Sequence, residues 1–208
     1  MGTHPRIVAS LLIGLLSGAQ LSRAGNFDNV WQVVPSIGLL TPAHAIDRAD
    51  IGIGPYLSFP NPLGLFGQIR IPVKEKLDIG IKAGAGLNGG GFLAQGDIKI
   101  PIRHDEPDLS IIAVFDNSIN GKAWSALASG GISIGHGFDV EDATIAPYGA
   151  VTIGLAWQTS LSAAFGGFGA IGCEFRVTKT VAPIIEVMLP FGKFASPVFM
   201  TGGVMFYF

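Results

Sequence analysis

Charged side chains are scarce in this chain, 13% of its residues, and several recur in register with one another. Arg70, Lys82, Lys99 and Arg176 share the parity of Asp78, Asp97, Glu174 and Glu186 within segments that alternate apolar and polar residues. Opposite charges in equal number on one face of neighbouring strands can do two things. They can neutralise one another as ion pairs, Arg70 with Asp78 and Lys82 with Asp97 on adjacent segments. They can also form a constriction that passes small polar solutes or ions, or a gate that works by exchanging pairs. A charge in a narrow, low-dielectric interior is costly unless paired, so pairing is the first expectation.

Covalent and metal chemistry lack their residues. His4, His44, His104 and His136 are spread along the chain, and none has a serine two positions later. Ser133 and His136 differ in parity, so on one strand they point to opposite faces. Gly131-Ile-Ser-Ile-Gly135 and Gly166-Gly-Phe-Gly169 precede neither a helical pattern nor a phosphate-loop lysine, and they read as strand glycines. The lone Cys173 excludes an internal disulfide and a cysteine cluster, and it reads as a small apolar wall residue. No catalytic residue, metal or cofactor is expected, and no enzyme activity.

The elements that position the charges must be strands. From Ile51 onward the chain alternates with period two, most clearly in Leu77-Asp-Ile-Gly-Ile-Lys-Ala-Gly-Ala-Gly-Leu87. About ten such segments fit, at 51–59, 65–73, 77–87, 92–102, 109–117, 125–138, 143–157, 165–177, 183–190 and 198–208. Most have the roughly 9–11 residues that a tilted transmembrane strand needs. Eight or twelve strands are the near alternatives. The connections are short and rich in Gly, Pro, Asn and Asp, which favours an up-and-down antiparallel meander.

Composition agrees. Hydrophobic residues make up 49% of the 208, and 30 are glycine. Past residue 24 there is no run of about 18 apolar residues, which argues against a helical membrane protein. The net charge of −2 carries no basic stripe for nucleic acid. Met1–Arg6, the apolar run Ile7–Ala19 and the small residues of Ser22-Arg23-Ala24 read as a signal peptide cleaved after residue 24. Residues 25–50 alternate poorly. They read as a lead-in, periplasmic or tucked into the lumen, ahead of an all-β transmembrane barrel at 51–208. Val30–Leu40 could add a strand, but an eleventh would break the even count.

The last segment, Val198-Phe-Met-Thr-Gly-Gly-Val-Met-Phe-Tyr-Phe208, resembles the closing strand of Gram-negative outer-membrane β-barrels. Leu40–Gly54 is also similar to the stretch leading into the first strand of some poorly characterised barrels of this kind. In that family a terminal Phe with alternating apolar residues before it is read by the barrel assembly machinery, a role the resemblance carries to Phe206 and Phe208. It further implies a cell outer-membrane location, outer-membrane lipid as surroundings, and both chain ends in the periplasm.

Phe59, Phe92, Phe115, Trp157, Phe165, Phe191 and Phe199 would then form an outer aromatic girdle, and Phe138, Phe206 and Phe208 a periplasmic one. His104 and His136 would sit at periplasmic turns, the wrong side for outer-leaflet lipid chemistry. The expected function is a small pore for polar solutes, or a structural membrane protein. The alternatives are an outer-leaflet lipid-modifying enzyme and an exported soluble barrel that binds an apolar ligand. The inward glycines Gly80, Gly84, Gly86, Gly131, Gly135 and Gly137 leave one question open: they could free an aqueous path or merely permit curvature.

Overall fold

Period-two alternation forces side chains to opposite faces of an extended strand, and here every alternating segment is a strand. The computed structural model describes residues 39–41, 49–58, 63–73, 77–87, 91–103, 107–120, 123–159, 161–194 and 198–208. The signal peptide, most of the lead-in, His4, His44, His104 and Phe59 lie outside the described residues. The strands are β1 Asp50–Ser58, β2 Leu63–Pro72, β3 Asp78–Gly86, β4 Phe92–Arg103, β5 Asp108–Asn120 and β6 Ala123–Gly135. They continue with β7 Phe138–Val140, β8 Ala143–Gln158, β9 Leu161–Arg176, β10 Val181–Gly192 and β11 Phe199–Tyr207.

All pairings are antiparallel between neighbours, and β1 pairs with β11, so the sheet closes on itself. Closure leaves no unpaired edge. β7 pairs only with the start of β8, while β6 pairs directly with β8. The barrel wall therefore has ten strands, and β7 is a short hairpin at its rim. This corrects the expected single strand at 125–138: β6 stops at Gly135, and Phe138 belongs to the hairpin. Its turn places Glu141 at φ 53°, and the Thr144 hydroxyl donates to Asp139 at 2.8 Å. Gly137 consequently lines no strand.

The strands tilt strongly. Stepping between cross-strand partners leads from Asp50 to Arg70, Gly80, Asp97, Val114, Ser129, Gly154, Gly166 and Gly192. That path begins at the rim where the chain ends and finishes at the far rim, as the stagger of a closed barrel requires. Tight bends at the far rim let β8 and β9 each reach 16 residues, longer than the alternation suggested. There the Thr159 hydroxyl accepts from the Trp124 amide at 2.6 Å.

Polarity is inverted relative to a soluble protein. Outward residues such as Ile53 and Ile81 are 59% and 63% exposed, whereas inward Arg70 and Lys99 are fully buried. Phe92, Phe115, Trp157, Phe165 and Phe191 are exposed on the outer surface, joined by Trp124. Phe138, Phe206 and Phe208 are exposed toward the terminal rim. Phe199 corrects the girdle assignment: its odd position on β11 matches Thr201, Met205 and Tyr207, and it is buried inside.

Candidate functional site in the barrel lumen

The lumen-facing charges come from strands whose register brings them to one level. Arg70 on β2 lies opposite Gly80 on β3, which lies opposite Asp97 on β4. Asp78 lies opposite Lys99. The result is a continuous chain of alternating charge. Lys99 Nζ is 2.9 Å from Asp78 Oδ2, Arg70 Nη2 3.0 Å from Asp78 Oδ1, Arg70 Nη1 2.8 Å from Asp97 Oδ1, and Lys82 Nζ 3.3 Å from Asp97 Oδ2. Each buried charge thus has an opposite partner, the condition under which burial is tolerable. Arg70 is the hub, since its guanidinium reaches both acids with the fork geometry suited to carboxylates.

Glu174 and Arg176 are placed apart from this chain. Arg176 Nε donates to Glu174 Oε1 at 2.6 Å, and the Tyr207 hydroxyl donates to Glu174 Oε2 at 2.9 Å. The Arg176 guanidinium also stacks over the Tyr207 ring at 5.2 Å. This group sits at the terminal rim, where Arg176 stays partly exposed.

Glu186 has a different kind of partner. Its carboxylate accepts from the Leu39 amide at 2.6 Å, the Leu40 amide at 3.0 Å and the Tyr148 hydroxyl at 2.8 Å. Lys82 Nζ donates to the Leu39 carbonyl. Lys99 Nζ donates to the Thr41 hydroxyl at 3.0 Å. Residues 39–41 therefore run inside the barrel, fully covered by its wall. Sequence alternation had no means of finding these contacts, because the lead-in that holds 39–41 alternates poorly and could be placed only as periplasmic or tucked into the lumen. Asp116 was also missed, though its even position on β5 beside Ser110, Ile112 and Val114 marked it as inward, and it is buried.

Part of the glycine question is answered at Gly80 and Gly131. A Cβ on Gly80 would lie 2.5 Å from Asp97 Oδ2 and 2.6 Å from Arg70 Nη1, so its missing side chain houses the ion chain. On Gly131 it would meet the backbone of Val151 and Thr152, and on Gly154 that of Ala128 and Ser129. Those two glycines allow close strand approach at a bend in β6 and β8. Gly172 is covered by Tyr148, and Gly166 by Phe194. None of these opens an aqueous path.

Lumen chemistry changes around and along the barrel. Toward the far rim the interior is apolar, with Phe66, Leu93, Leu127, Phe168, Phe194 and Phe199 buried together. The β6–β8 wall is small and neutral. Buried hydroxyls of Ser129, Ser133 and Thr152 there have no hydrogen-bond partner among the described residues. Ser133 is buried inward, whereas His136 lies past the end of β6, edge-on to Phe138 at 4.3 Å between ring centroids. Among the described residues no group of three or more His, Cys, Asp or Glu could hold a metal ion.

A closed sheet with an apolar outside and a charged, hydrogen-bonded inside is an integral membrane β-barrel of the outer-membrane type. No protein-family model matches the chain, and no curated protein matches it. Among solved structures it is similar to a KdgM porin, at 10% identity and a TM-score of 0.43, covering 76% of this chain and 99% of that one. A KdgM porin in complex with disordered oligogalacturonate is similar at 10% identity and a TM-score of 0.44, with the same coverage of both chains.

Proposed function

We propose that this protein is an outer-membrane channel for small polar solutes or ions, closed in the conformation described. The observation that carries this reading is the lumen itself. A barrel needing only a packed interior could fill it with apolar side chains, which cost no desolvation. This one instead buries Arg70, Asp78, Lys82, Asp97, Lys99 and Glu186 beside a wall of small hydroxyl residues. Leu39, buried inside the barrel, belongs to a segment held by hydrogen bonds and not to the wall.

An exported soluble ligand-binder is disfavoured by the exposed Ile, Val and Phe on every face of the wall. An outer-leaflet enzyme is disfavoured because Ser133 and His136 do not meet, and no other serine–histidine pair is described. We further propose that the membrane is the cell outer membrane, that its lipid contacts the aromatic girdles, and that the assembly machinery reads Phe206 and Phe208.

Planar-bilayer recording of the refolded mature protein tests the channel, provided the blocking segment is also replaced. Current that follows the folded barrel supports it. A folded barrel that stays silent after the lumen segment is replaced would indicate a structural membrane protein. Unchanged lipid A and phospholipid profiles on deletion and overexpression are expected; a new lipid product would revive the enzyme reading.

A further inference from the structure

The lumen contacts to residues 39–41 have a chemistry of their own. Glu186 takes two consecutive amides, Lys82 takes the Leu39 carbonyl, and the Gln68 side-chain amide lies 3.5 Å from the Leu40 carbonyl. All of these are main-chain groups. The Lys99 contact to Thr41 uses a side chain of the segment. Leu40 sits at φ 44°, in the left-handed region that L residues rarely adopt, and this turns its amide toward the same carboxylate as that of Leu39. Successive amides converging on an anion form a nest. The receiving groups come from β2, β3, β4 and β10, all rigid wall, and Tyr148 on β8 orients the carboxylate through its hydroxyl.

A carboxylate for amides and ammonium or amide donors for carbonyls describe a site that reads peptide backbone, while the buried Leu39 and Leu40 side chains join the apolar cluster of the lumen. We propose that Gln68, Lys82, Lys99 and Glu186 form a main-chain recognition site inside the lumen, filled in cis by Leu39–Thr41, and that this occupancy closes the channel. The ligand class is a short peptide with two successive amides turned to one side, for which the resident segment is a tethered stand-in. The closing role rests on the channel reading above; the peptide site does not.

The test uses the mature chain with Leu39 and Leu40 both replaced by proline, which keeps the connection intact while removing the two amides that Glu186 accepts and the positive φ of Leu40. The variant is expected to refold to the same heat-modifiable form and to conduct well above the parent. The blocked tripeptide acetyl-Leu-Leu-Thr-amide, added in trans, should then suppress that current. In the same background Glu186→Gln should weaken suppression about tenfold, the loss of a charge-assisted hydrogen bond.

Equal conductance of parent and variant overturns the closing role while leaving the channel standing. A conducting variant on which the peptide has no effect overturns the recognition site. If the folded variant passes no current, the channel reading fails and the closing role with it. Calorimetric titration of the tripeptide into the detergent-solubilised variant then decides the site by itself: heat that Glu186→Gln diminishes supports it, and no heat overturns it. Thr41→Cys in a Cys173→Ser background gives a readout without current. Protection from a membrane-impermeant maleimide, lost on adding Glu186→Gln, supports the cis contact; labelling of the parent overturns it.

Discussion

Gly80 and Asp97 are cross-strand partners, and the Asp97 carboxylate lies in the space that any side chain on Gly80 would need. Asp97 cannot yield, because Arg70 and Lys82 hold it from two sides. Gly80→Ala is therefore expected to destabilise the barrel by about 1–3 kcal/mol, the usual range for overpacking. Gly67→Ala and Gly96→Ala, where an added Cβ would meet nothing within 4 Å, should be close to neutral. Urea unfolding in lipid vesicles separates the cases; equal midpoints for Gly80→Ala and Gly96→Ala would contradict the packing described.

The ion chain predicts a strongly non-additive pair. Lys99→Met leaves Asp78 with Arg70 alone, and Asp78→Leu leaves Lys99 facing Thr41. Asp78→Leu should cost about 3–5 kcal/mol, because Lys99 loses its buried ion-pair partner, and Lys99→Met should cost less, because Arg70 still holds Asp78. The double change removes both charges together and should cost much less than the two singles summed. Additive losses in urea midpoints would mean that the two side chains do not act as a pair.

Close strand approach makes Gly131 and Gly130 unlike each other. A Cβ at Gly131 would strike the β8 backbone, 2.7 Å from the Thr152 Cα, whereas at Gly130 it would sit an ordinary 3.8 Å from the Ile112 carbonyl oxygen. Gly131→Val should prevent closure, seen as loss of the heat-modifiable band on refolding. Gly130→Ala should refold normally. Normal refolding of both would show that the β6–β8 bend tolerates a side chain.

Phe208 is 74% exposed and follows the last strand without packing inward. Removing it should leave detergent refolding in vitro unchanged and lower the amount of assembled protein in cells. Loss of refolding in vitro would assign Phe208 to stability and not to recognition by the assembly machinery.

The alternation of β3 and β4 shows how much was legible in advance. A side chain's face depends only on odd or even position, so Arg70, Asp78, Lys82, Asp97 and Lys99 could be assigned inward from sequence, and the pairs Arg70–Asp78 and Lys82–Asp97 from strand adjacency. Arg70–Asp97 spans two strand steps and could not be seen that way. Phe199 was misplaced although β11 runs without a register shift, so that its odd position already set it on the opposite face from Phe206; Phe138 keeps its expected rim but belongs to a hairpin and not to the preceding strand.

Local sequence determined the faces, the turns and the inverted polarity, since each follows from residues a few positions apart. Closure and tilt decided the rest. Only when β1 meets β11 do β2, β3, β4 and β10 surround a common axis, and only then do Lys82, Lys99 and Glu186 converge on Leu39–Thr41. Those contacts join positions up to 147 apart. The hydrogen bonds of Glu186 and Lys82 go to main chain, which carries no side-chain pattern, so the residue types of Leu39 and Leu40 could not announce them.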